Sequence, residues 1–542
     1  MPGRSAGKKH GELPERAWPM CLRNHPGRGV RILALCTLTI FGGASRVFAQ
    51  SPAPPGPSAP GFHEQLIGEM TGGTNLGSMT GVGDHVAWTE VKHTTWTVRL
   101  DGKPQGGAYG DVTNMKFTPD GMHLHFMAKR NGKWFHVLDG NETSPGYSFV
   151  TSIALQPAGG SFAYGACEAK GKCHLVVNDK PMPDEYEEIG FPRYSPDGKR
   201  LAFFGMRHKK YVAVVDGKET GLEVADYGPS HWGFSQATNR FYAAISPSAE
   251  KWTYFVDDAA GPLFNVVSPI VFSRDGRHYA YSGSNVHSGF KKQSTEGTVV
   301  LDGHPGELHE GSGFAGMWTL AVGATESAAT GPRVLHADFH GVSDPAFSPD
   351  GALAYAVRRD KGDIVVMSGD QAGPPIDELV GSILFSDDPK HWAYIGKRGD
   401  SFLEVRDGQP GITFPIDAKV GWVDWVTIAR DGSRLGYQLV RGGGQFGNEV
   451  TTRARRSVVL DGRAGKEYNA GGMSILFFTP DHRHYVHTVM RIDGKHDLVV
   501  ADGNESISYD ELRDLQFSSG QTSALFFARA GSRILRVTYP FQ

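Results

Sequence analysis

Along this chain the hydrophobic pattern comes in short blocks. An aromatic or aliphatic residue precedes a tight polar turn, and a run of large apolar residues alternating with small ones follows it. Examples are Phe117-Thr118-Pro119-Asp120-Gly121, Tyr194-Ser195-Pro196-Asp197-Gly198, Phe272-Ser273-Arg274-Asp275-Gly276 and Phe347-Ser348-Pro349-Asp350-Gly351. The residue before the turn recurs at Phe117, Leu155, Tyr194, Phe234, Phe272, Phe347, Phe385, Ile428, Phe478 and Phe517, with spacings of 38, 39, 40, 38, 75, 38, 43, 50 and 39. A second marker, an Asp usually followed by Gly after a Val-rich run, falls at Asp101, Asp139, Asp179, Asp216, Asp257, Asp302, Asp370, Asp407, Asp461 and Asp502. Each unit therefore holds two hairpin turns. Four strands of about 5 or 6 residues and four turns of about 4 fill such a unit, which is the size of one β-propeller blade.

The runs between the markers support strands. Residues 200–205 (RLAFFG), 278–283 (HYAYSG) and 391–396 (HWAYIG) alternate aromatics with Ala or Gly, as expected of sheets buried on both faces, one side offering bulk and the other accepting it. In the turns, Pro presets φ, Asp bonds back to nearby backbone N–H groups and Gly takes positive φ. These Asp residues are expected to be structural rather than calcium ligands, because no unit shows the dense Asp/Asn alternation of an oxygen cage.

Phe-Ser-Pro-Asp-Gly, followed by Lys/Arg-Leu-Ala-Phe/Tyr and later by Val-Val-x-Asp-Gly, resembles the WD40-like (PD40) β-propeller repeat of the TolB-like family over roughly residues 73–540. The resemblance implies an all-β propeller that docks other proteins in the periplasm. The chain departs from TolB in lacking an α/β domain ahead of the propeller and in having too many repeats, so TolB's own partners are not implied. The same repeat forms the gating propeller of prolyl-oligopeptidase-like enzymes, but the Gly-x-Ser-x-Gly elbow of their hydrolase domain is missing here.

Counting back from Asp101 adds a unit whose first strand lies near residues 76–81, giving about eleven four-stranded blades. The last unit has only three plausible strands, and residues 62–70 are expected to supply the fourth and close the ring. Eleven blades in one ring is an unusual number. Two rings of about six and five blades, covering 62–344 and 345–542 and divided at the 75-residue spacing, are therefore slightly favoured over one large ring.

Composition adds a compartment. Arg28 and Arg31 precede an apolar stretch from Ile32 to Ala44 and a small-x-small signal at Val47-Phe48-Ala49, so residues 1–49 read as a signal peptide, with Met20 as an alternative start. A membrane anchor is the competing reading, although the stretch is short for a bilayer span. Residues 50–61 form a Pro-rich leader, and a periplasmic or secreted chain without a further transmembrane segment follows. With 55 Lys and Arg against 58 Asp and Glu, no basic surplus points to nucleic acid. Cys167 and Cys173 flank a short hairpin and are expected to form a cross-strand disulfide; a metal site would need ligands that are not nearby.

Candidate chemistry lies in three insertions on the face formed by the second turn of each blade and the blade-to-blade connections: Gly283–Gly297, Gly306–Asp344 and Arg441–Ser457. The second contains His336, Asp338 and His340, which share one face if they form a strand. Their ends would be about 13 Å apart, so a solvent-exposed face is expected, with metal ligation as the alternative. The third carries Arg441, Arg453, Arg455 and Arg456 against Glu449 alone, a set of donors either suited to a phosphate or carboxylate or simply solvated. Trp232, Trp318, Trp422 and Trp425 fall in or beside connections, where they would anchor a peptide or sugar, or pack between blades. No cofactor fingerprint and no nucleophile with a plausible base is found. The expected function is a protein- or peptide-binding module of the cell envelope, with an acidic partner suiting the Arg loop. The rival is a carbohydrate-active enzyme, a glycoside hydrolase or lyase with carboxylates in the funnel, for which the acidic run Asp184, Glu185, Glu187 and Glu188 is a starting point.

Overall fold

In the computed structural model the described residues are 59–248, 250–288, 293–311, 342–359, 362–415, 421–441, 455–474, 476–491, 497–518 and 520–542. They form strands and turns and contain no helix. Blades 1 to 10 span residues 75–109, 111–142, 149–181, 188–224, 226–260, 266–311, 346–372, 378–415, 421–464 and 468–505, each an antiparallel sheet whose strands pair in chain order. Blade 11 takes three strands from residues 511–540 and its outermost strand, His63–Glu69, from the other end of the repeat region. That strand runs antiparallel to Arg533–Pro540, from His63 opposite Thr538 to Glu69 opposite Arg533. The expected closure is therefore present, and the added first unit begins with strand Asn75–Val82.

Among the described residues eleven hydrophobic clusters form the core, and each lies between two consecutive blades. The one that decides the ring count packs Met79, Val86 and Trp88 of blade 1 against Phe527 and Ile534 of blade 11. Another joins Ala280 and Val299 of blade 6 to Val342 ahead of blade 7, across the place where two rings would have parted. The blades form a single ring, and the two-ring expectation is corrected: the 75-residue spacing is a long connection inside one ring.

The alternation of bulk and space has a direct structural cause. In the second strand of a blade, Gly replaces a side chain where the preceding connection inserts a large residue. A Cβ at Gly205 would lie 2.3 Å from the Tyr186 ring, and one at Gly283 would lie 2.3 Å from the Phe264 ring. Tyr186 and Phe264 are themselves almost completely buried. Blade-on-blade packing thus depends on an aromatic knob and a glycine hole.

The turn Asp residues are structural, as expected. In the first turn, Asp120, Asp197, Asp275, Asp350 and Asp481 accept the hydroxyl of the Ser or Thr two residues earlier. That hydrogen bond holds each carboxyl below its usual range. The second marker is a clasp. Asp139 accepts the Leu124 N–H on Oδ1 (2.8 Å) and the His123 Nδ1–H on Oδ2 (2.7 Å). The same pairing links His85 to Asp101, Arg200 to Asp216, His278 to Asp302, His391 to Asp407, Arg434 to Asp461 and His484 to Asp502, and Arg240 likewise bonds Asp257. Two second-marker positions are shifted by one residue. In blade 3 the clasp residue is Asn178, which accepts the Phe162 N–H, and in blade 7 Gly369 occupies the position, so Asp179 and Asp370 follow it.

Candidate functional site

The first and third turns of every blade share one face of the ring with all the clasps. The second turns and the connections form the opposite face, where the chain departs from its repeat. On this hairpin face each third strand begins by pairing with the connection that follows it. Trp134 exchanges backbone hydrogen bonds with Tyr147, Cys173 with Tyr186, Trp252 with Phe264, Ile364 with Ile376 and Asp497 with Tyr509. Between blades 9 and 10 this grows into two residue pairs, Arg455–Asn469 and Arg456–Tyr468. The connections are therefore strapped down, and they present their side chains next to the hairpin tips.

Charge is distributed in a regular way over these two layers. Cations at the hairpin tips pair with carboxylates of nearby strands and connections: Arg130 with Glu142 (2.6 Å), Arg207 with Glu219 (2.6 Å), Lys397 with Glu378 (3.9 Å) and Arg529 with Asp510 (3.1 Å). Exposed pairs of this kind contribute about 0–1 kcal/mol each, so a partner's charges can replace one member at little cost. Aromatic rings lie under the same tips, with Lys129 over Trp134 at 5.3 Å and Arg207 over Tyr186 at 4.6 Å. Burial pushes the Tyr186 hydroxyl up to about 12, so it stays a neutral donor or acceptor. The geometry suits an interface with exchangeable ion pairs around the half-buried Trp134 ring and the buried Tyr186 ring.

The expected site residues separate sharply here. Arg441 and Arg455 sit opposite each other in the hairpin ladder, and both reach Glu467, at 3.8 and 3.3 Å. The cationic loop therefore has a carboxylate partner from the connection into blade 10. Glu467 was missed because counting charges inside the insertion leaves out the neighbouring connection that packs beside it. Arg456 is half-buried in the same strand. Trp232 is 1% exposed and packs edge-on to Phe204, so its anchoring role is corrected: it is an interblade core residue. Trp425 is half-buried on the innermost strand of blade 9 with φ of 51°, and Trp422 lies at the start of that strand. Arg453, Trp318, His336, Asp338 and His340 lie outside the described residues. Among the described residues no group of His, Cys, Asp and Glu could hold a metal ion.

The first insertion is an ordered ribbon. Strands Tyr279–Ser288 and Gln293–Leu301 stay paired out to Ser288 and Gln293, and His309–Gly311 adds a third strand. Cys167 and Cys173 face each other across their hairpin with the sulfurs joined at 2.08 Å. The turn between them is tight, because Ala169 pairs with Lys172 after a bulge.

Among the described residues, the carboxylates that burial raises on the innermost strands lie apart, not in the close couple that glycoside chemistry needs. Partial burial raises Asp111 and Asp226 above the usual carboxyl range, but they belong to blades 2 and 5, which are not adjacent. In the acidic run, Asp184 pairs with Arg207 and Glu187 accepts the His208 N–H.

No family model matches the chain, and no curated protein matches it. Among solved structures it is similar to a eukaryotic initiation factor, at 11% identity over 74% of this chain and 96% of that one, with a TM-score of 0.37. It is similar to TolB from Acinetobacter baumannii at 16% identity, covering 40% of this chain and 61% of that one, with a TM-score of 0.24. An oligogalacturonate lyase in complex with manganese matches at 11% identity over 81% and 98%, with a TM-score of 0.28.

Proposed function

We propose that this protein is an exported β-propeller that docks a protein or peptide of the cell envelope on its hairpin face. The observation that carries the reading is the asymmetry of the ring. The clasp face carries short turns whose Asp carboxylates are held by hydrogen bonds within the turn or clasp. The hairpin face carries the ordered ribbon of the first insertion and the described ends of the third, together with paired cations, carboxylates and rings. Variable segments on one side of a fixed scaffold are where binding resides in repeat proteins. Export is supported by the signal-like residues 28–49 and by the joined cysteines.

The test is capture from envelope extract by the chain without its first 49 residues, compared with a form in which residues 442–454 are replaced by a four-residue turn. The ladder from Arg441 to Arg455 remains to close the shorter hairpin. Shortening the loop changes closure entropy by only about 1 kcal/mol, in the stabilising direction. Capture that weakens in the shortened form and falls with added salt supports the reading. Equal capture by both forms at low and high salt removes the third insertion from it.

A further inference from the structure

The seam between blades 6 and 7 differs from the other ten. Among the described residues its core has three buried apolar side chains, Ala280, Val299 and Val342, with partly buried neighbours such as Phe347 and Tyr355 around them, where the others have five to twelve. The outer edge of blade 6 is irregular at this seam. Strand Gln293–Leu301 is covered by His304–Pro305 at one end and by His309–Gly311 at the other, and residues 306–308 between them leave the sheet. A cleft of about 410 Å³ opens there, lined by Val299, Leu301, Glu307 and His309 of blade 6 and by Leu353 and Tyr355 of blade 7. Leu301 is 38% exposed and Leu308, beside the cleft, 58%.

The permanent charges among the described residues of the rim are carboxylates, beside the imidazoles of His304 and His309. Asp302 is already committed to its clasp with His278 and the Tyr279 N–H, whereas Glu307 and the adjacent Glu310 are exposed. No Lys or Arg is among the described residues that line the cleft. A cleft that is apolar between its walls and carboxylate-bearing at its mouth is complementary to an apolar side chain next to a cation. We propose that this seam is a docking cleft for an extended peptide that seats one bulky apolar side chain between blades 6 and 7 and holds a neighbouring Lys or Arg at Glu307. The cleft is separate from the hairpin-face loop of blade 9, so it stands or falls independently of the proposed envelope partner.

Fluorescence anisotropy of labelled pentapeptides tests it on the chain without its first 49 residues. The probes are Gly-Lys-Phe-Lys-Gly, Gly-Lys-Ala-Lys-Gly and Gly-Glu-Phe-Glu-Gly. Only the first should bind saturably below about 1 mM. Leu301→Asn should weaken it about tenfold, and Glu307→Gln about threefold with loss of salt dependence. Leu308→Asn, at a more exposed position, provides a second apolar variant if Leu301→Asn lowers the melting temperature. The form shortened at residues 442–454 should bind as the parent does. The proposal is overturned if none of the peptides binds, if the Ala or Glu peptide binds as well as the first, if the folded variants bind like the parent, or if the shortened form loses the peptide.

Discussion

At the scale of single residues, two kinds of position are intolerant for different reasons. Gly198 closes a first turn with φ of 71°, and its carbonyl accepts the Gln156 amide of the preceding blade at 2.7 Å. A Cβ there would lie 2.9 Å from Gln156 Cγ. Gly198→Val combines a disfavoured backbone with that contact and should destabilise by about 1–3 kcal/mol, visible as a lower melting temperature. The buried imidazoles act through protonation. His487 is 3% exposed with no partner on Nδ1, and His125 is 3% exposed with its Nδ1 against His136 at 3.0 Å. Burial lowers both from 6.5 to about 4. As pH falls from 6.5 to about 4, the unfolded chain takes up protons that the folded chain refuses. Stability is therefore lost across that window, by up to about 3 kcal/mol per histidine. His487→Gln should flatten the dependence of melting temperature on pH between 7 and 4.5, and an unchanged slope would exclude His487 as a contributor.

The element that repeats most faithfully is the clasp, and its chemistry ranks substitutions. Asp502 takes φ of 49° while accepting the Tyr485 N–H and the His484 Nδ1–H at 2.9 and 2.7 Å. Asp502→Ala loses both acceptors in an unfavourable conformation and should cost about 2–3 kcal/mol. Asp502→Asn keeps the backbone acceptor and tolerates the conformation, so it should cost less than about 1 kcal/mol. Asn178 already does this work in blade 3. Thermal melts of the two variants check the order, and equal losses would mean that the backbone bond is not what the Asp supplies. The clasp also explains what the sequence pattern conveys and where it slips. Turn and strand chemistry are local, so blades, their number and the aromatic–glycine alternation are readable from single motifs. Spacing alone does not distinguish Asn178 from Asp179, or Gly369 from Asp370, because the deciding fact is which residue's backbone bonds the start of the second strand. Trp232 misleads for a related reason: its place at a connection is local information, whereas its burial against Phe204 and Phe241 depends on the neighbouring blade.

Ring closure is a property of the whole molecule and cannot be read from one repeat. The 75-residue spacing suggested a break, yet an interblade core bridges it, and closure is made where chain positions are furthest apart. Strand His63–Glu69 completes blade 11, with Phe62 packed on Tyr539 and Phe526 at ring centroid distances of 4.8 and 6.3 Å. Glu64 accepts the Tyr509 hydroxyl at 2.7 Å. Removing residues 59–70 would leave Arg533–Pro540 as an unpaired edge and uncover Phe526 and Tyr539, the combination that invites edge-to-edge association. The shortened chain should melt at a lower temperature and elute as larger species in size-exclusion chromatography. A peptide of residues 59–70 added in trans should restore both properties, because its strand and Phe62 supply the missing register. A shortened chain that stays monomeric with the parent's melting temperature would show that the ring does not need its closing strand.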